Sequence, residues 1–140
     1  MKALLGATLL VCVVTLVACS SPSAKTANAA ADAWGDLQVS VNRTIKNNSS
    51  AIDADFREWK GMATLCAQAK AAVFQAGGCA PADCTNRYNT VRNRMGRVRE
   101  AYDRLAKTSR TPELIEQQRS LLETAESLTA DFLKTEPAGQ

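Results

Sequence analysis

The chain has 140 residues, with 17 basic and 14 acidic side chains, a net charge of +3 and no histidine. This length suffices for one domain with a real core and leaves little room for a second. The missing histidines remove the ready base near neutral pH and the commonest metal ligand, so neither an enzyme nor a metal or cofactor site is expected.

Taken in order, the chain opens with Lys2 and an apolar run from Ala3 to Val17. A comfortable membrane span needs about 20 apolar residues, so this run has the length of a leader. It closes on Leu16-Val17-Ala18-Cys19. Those four residues resemble the lipobox of bacterial lipoproteins, in which small side chains fit a peptidase cleft and the cysteine thiol forms a thioether to diacylglycerol. The resemblance implies a signal peptide over 1–18, a mature chain beginning at lipidated Cys19, and attachment to the membrane through acyl chains. Each buried methylene contributes about 0.8 kcal/mol, and more than one chain is needed for stable anchoring. In the Gram-negative class, Ser20 after the cysteine implies the periplasmic face of the outer membrane. In a cell without that membrane, the outer leaflet of the cell membrane takes its place.

Residues 20–31 are rich in Ser, Pro, Ala, Asn and Thr, so 19–31 is expected to be a lipidated flexible tether. Helical spacing begins at Trp34 and runs through Gln38, Val41 and Ile45. Continuing that register meets Asn48, Ile52 and Asp55, two of them polar. The apolar stripe resumes as Ile52, Phe56, Trp59, Met62, Cys66, Ala69 and Val73 in a shifted phase. The run Asn47-Asn48-Ser49-Ser50 sits at the break and predicts two helices, with Ser50 as N-cap and Asp53 in the following first turn.

Gly77-Gly78 predicts a helix stop, because glycine adopts the left-handed cap conformation cheaply. The connector through Pro81 to Cys84 follows. Cys12 leaves with the leader and Cys19 is consumed by lipid, so Cys66, Cys79 and Cys84 remain. An exported compartment permits disulfides. Cys79 with Cys84 is the preferred pair, and Cys66 with Cys84 stays open if the connector doubles back. Tyr88, Val91, Met95, Val98, Tyr102 and Leu105 then occupy consecutive a and d positions of a third helix. Thr111 as N-cap with Pro112 at the first helical position starts a last helix carrying Leu114, Ile115, Leu121, Leu122, Ala125, Leu128 and Phe132. The predicted fold is all-α, a small antiparallel bundle of three or four helices over 32–135, followed by a disordered tail over 136–140.

Charge is unevenly divided between the last two helices. Residues 85–110 hold eight cations against two acids, and residues 111–140 hold six acids against two cations. Neighbouring helices can neutralise each other, yet Arg87, Arg92, Arg94 and Arg99 flank the apolar seam while most of the glutamates lie outward. Arginine suits bidentate contact with carboxylate or phosphate, so these four are the candidate partner-binding residues. Their expected partner is an acidic envelope protein or acidic headgroups; export argues against nucleic acid. The architecture is similar to that of pilotins and of surface-exclusion lipoproteins, a likeness of shape alone. The expected role is therefore a non-enzymatic interaction module. The competing expectation is a carrier that holds a lipid, haem or other hydrophobic molecule between its helices.

Overall fold

The computed structural model describes residues 22–138; the leader, the lipobox and Cys19 lie outside the described residues. Helix α1 spans Pro22–Asn47, a short 3-10 turn occupies Asp53–Asp55, and α2 spans Phe56–Ala76. After the connector come α3, Cys84–Thr108, then α4, Pro112–Glu116, and α5, Arg119–Leu133. The last two are nearly continuous: the amides of Gln117 and Gln118 still bond back to Glu113 and Ile115, and Leu122 bonds to Gln118. The result is an up-down-up-down bundle of four helices, the fourth in two segments.

The expected tether is the largest correction. Helix α1 begins at Pro22, and Ala27, Ala30 and Ala31 are buried in the core. Proline at a helix start loses no hydrogen bond, and alanine is the best helix former. A run of small residues that looks like a linker in isolation is thus the α1 side of a tight seam. On the α2 side the contact is at Gly77. At Gly77 the backbones come so close that a Cβ would stand 2.6 Å from the Cβ of Ala27.

The register of α1 differs from expectation by one residue. Leu37 and Thr44 are buried beside Trp34 and Val41, whereas Gln38 and Ile45 lie at the edge. In α2 the expected stripe is buried except Phe56, which is 41% exposed. The break between α1 and α2 falls where expected, but Ser50 caps nothing: Asp55 is the N-cap of α2, and its carboxylate accepts the Ser109 hydroxyl at 3.1 Å and the Arg110 amide at 3.2 Å instead of a local amide. That bond ties the α1–α2 turn to the α3–α4 turn at the same end of the bundle.

Seams differ in chemistry. Between α1 and α5 the buried Trp34 indole N–H donates to Thr129 Oγ1 at 2.8 Å, and the Thr129 hydroxyl donates to the Ala125 carbonyl at 2.6 Å. One end of that seam holds Gln118, buried with its amide donating to Thr44 Oγ1 at 3.1 Å and accepting from Ser40. Between α3 and α5 large side chains fill the space: the rings of Tyr88 and Phe132 stack at 4.7 Å between centroids, and Tyr88 shares a 2.9 Å hydrogen bond with Thr135.

Candidate functional site

The third helix carries its arginines on two opposite flanks of one core stripe. Tyr88, Val91, Val98, Tyr102 and Leu105 point inward. Five residues beyond Arg87 the helix has turned by about 140°, which sends Arg87 and Arg94 towards α2 and Arg92 and Arg99 towards α5.

On the α5 side the arginines are already occupied. Arg99 makes a two-pronged contact with Glu126, Nε to Oε2 at 2.9 Å, and a weaker i,i+4 contact with Asp103 at 3.4 Å. The hydrogen bonds to Glu126 raise the pKa of its guanidinium further. Arg92 pairs with Glu136 and donates to Asn89 at 2.8 Å. Glu136, expected in a disordered tail, is therefore bonded, while residues 139–140 lie outside the described residues. The expectation that adjacent helices neutralise each other holds for these two arginines, which removes them as an open binding face.

The α2 side differs. Arg87 donates to Gln75 Oε1 at 3.1 Å and Arg94 to Gln68 Oε1 at 3.3 Å, both neutral amides. Among the described residues neither makes an ion pair, nor do Arg97 and Arg104 on the same side of α3. Arg94 is half-buried where two shallow grooves meet. One runs over the outside of α3 and is lined by Asn86, Asn89, Thr90 and Asn93; the other lies between α2 and α3 and is lined by Gln68, Ala71, Ala72, Gln75 and Thr90. No carboxylate lines either groove. Arg97 and Arg104 were legible in the sequence as cations, but their place beside Arg94 needed the identity of the neighbouring helix.

The cysteines divide as preferred. Cys79 and Cys84 are bonded, with Cα atoms 5.3 Å apart, and close the connector. Cys66 is a buried free thiol whose pKa burial pushes up to about 12. The tyrosines are core residues. The Tyr102 hydroxyl is buried without a hydrogen bond of good geometry, although it lies near enough to the exposed Arg119 guanidinium to raise that group's pKa, with Glu116 adding to the effect.

Space for an apolar guest lies on the outside of the bundle. A groove of about 350 Å³ between α1 and α2 is lined by Gln38, Ala67, Lys70, Ala71, Phe74 and Gln75, with Phe74 64% exposed. The interior between the helices is filled by Trp34, Trp59, Tyr88, Phe132 and their aliphatic neighbours. Among the described residues no helix is long and apolar enough to cross a membrane, and no group of three or more acidic or cysteine side chains could hold a metal ion. The chain matches no protein-family model, no curated protein and no solved structure.

Proposed function

We propose that the protein is a lipid-anchored lipoprotein of the cell envelope, held at a membrane through Cys19, that works without catalysis by gripping an acidic partner protein along the α2–α3 side of its bundle. The observation that carries this reading is Arg94. The residue is half-buried between two grooves, and the one acceptor of its guanidinium is a neutral amide at the exposed edge of the α2–α3 seam. A carboxylate arriving through either adjoining groove replaces a weak hydrogen bond with a charge-assisted, bidentate one. Arg87 sits two helical turns away on the same flank, while Arg97 and Arg104 lie further along α3, where Glu58 lines the groove beside Arg104. The four residues first singled out thus reduce to two for binding, Arg87 and Arg94, while Arg92 and Arg99 hold α3 to α5 and its tail.

The test is affinity capture from native membranes with wild-type protein and with the double variant Arg87→Glu/Arg94→Glu. The double variant is expected to retain its helical circular dichroism and to lose the partner by about tenfold or more, since reversing paired charges leaves both sides unpaired. Undiminished capture refutes the assignment. Addition of labelled palmitate to wild-type cells, with no incorporation in Cys19→Ser, tests the anchor separately.

A further inference from the structure

The anchor reading and the start of α1 together constrain how the bundle meets the membrane. Only Ser20 and Ser21 separate Cys19 from Pro22, the first residue of α1. Fully extended, three residue steps reach about 10 Å. Extra slack would require the first turns of α1 to unwind. They are tied down: Thr26 donates to the Ser23 carbonyl at 3.1 Å, Ala27 abuts Gly77, and Ala30 and Ala31 are buried in the core.

The antiparallel order decides what else lies at that end. It collects the connector between α2 and α3, the start of α3 and the residues after Leu133. The exposed tip of the connector is Gly78, Ala80, Pro81 and Ala82, small and uncharged, and the Cys79–Cys84 bridge holds it in a closed loop. Around it stand the exposed cations Lys25 and Lys134, the latter in a surface ion pair with Asp131, with Asp83 as the connector's one acid. Such a surface suits phospholipid headgroups. The tip brings no charge that must be desolvated at the interface, and the surrounding cations meet phosphates.

Resting on the lipid-anchor reading, we infer that the connector end of the bundle is a membrane-contact surface, seated on the headgroups of the bilayer that holds the acyl chains of Cys19. The opposite end, with the turn over residues 48–52, then projects outward by the length of α1, about 39 Å for its 26 residues. The α2–α3 flank stands along the side, open to a partner.

The test uses full-length protein purified from membranes, with diacylglyceryl modification of Cys19 first established by mass spectrometry. It is reconstituted into phosphatidylethanolamine–phosphatidylglycerol vesicles containing a phospholipid with a nitroxide on its headgroup. Two single variants at exposed positions carry the reporter: Ala82→Trp on the connector and Ser49→Trp at the far end. Trp34 and Trp59, both fully buried, supply a constant background in each. With the two positions about 39 Å apart, Ala82→Trp is expected to lose roughly half of its added emission and Ser49→Trp essentially none. Acylated protein with no quenching at Ala82→Trp, or equal quenching at both positions, overturns the membrane-contact surface while the anchor stands. An unmodified Cys19 overturns the anchor, and this inference with it.

Discussion

Burial of a single titratable or polar atom has consequences that can be read directly. Cys66 holds its proton up to about pH 12 when folded, against 9.0 for a free thiol. The unfolded chain surrenders it first, so the contribution of this group to stability is intact below pH 9.0 and declines as pH rises from there towards 12. Alkaline denaturation curves of Cys66→Ala should therefore slope less over that interval than those of wild type. In native protein at pH 8 the thiol should resist alkylation and react once denaturant is added. Tyr102 is a second such case. Its hydroxyl is buried without a well-formed hydrogen bond, and an unmade bond costs about 1–3 kcal/mol. Tyr102→Phe is expected to keep or raise the unfolding free energy, by up to about 1 kcal/mol, and a clear loss in chemical denaturation would show that the hydroxyl is satisfied.

At the scale of the helix pair, two glycines near α1 and α2 should respond to the same substitution with opposite signs. Gly61 lies inside α2 with open space around it. Gly61→Ala should stabilise by about 0.5–1 kcal/mol through helix propensity alone. Gly77 faces Ala27, and an added methyl forces the α1–α2 seam apart; Gly77→Ala should cost about 1–3 kcal/mol. Thermal unfolding of the two variants separates these effects. The neighbouring Gly78 has φ +73°, so it alone of the pair supplies the left-handed conformation expected of a helix stop. Across the α1–α5 seam, Thr129→Val keeps the shape but leaves the Trp34 indole N–H without its acceptor, with an expected loss of about 1–3 kcal/mol.

For the molecule as a whole, four antiparallel helices with short connections need little help to close, so the disulfide acts mainly at one end. Its small loop limits the chain entropy it removes, and the double variant Cys79→Ser/Cys84→Ser should lose about 2 kcal/mol in urea unfolding with helical content unchanged. Charge is arranged across the bundle in the same local manner. Arg99 and Arg92 pair with Glu126 of α5 and with Glu136 just beyond it, whereas Arg87 and Arg94 meet only amides of α2. That asymmetry is what the proposed acidic-partner face rests on.

Much of this architecture follows from periodicity. The third helix was legible in outline, because Tyr88 to Leu105 keep heptad spacing, although Met95 is only half-buried and Ala101 joins the core, and the stops at Asn47–Ser50, at Gly77-Gly78 and before Pro112 rest on local backbone chemistry that neighbours do not override. The sequence alone therefore determined the helical class and the antiparallel order, and bounded the bundle at three or four helices. Tertiary structure decided what depends on a neighbour's identity. Alanines 27, 30 and 31 became core only because neighbouring helices close over them, Ala27 against Gly77, and Leu37 replaced Gln38 because α1 turns to satisfy both α2 and α5. Arg92 and Arg99 were taken up by α5 while Arg87 and Arg94 were not, since a cation's pairing depends on which helix lies alongside, a quantity that no spacing within its own helix contains.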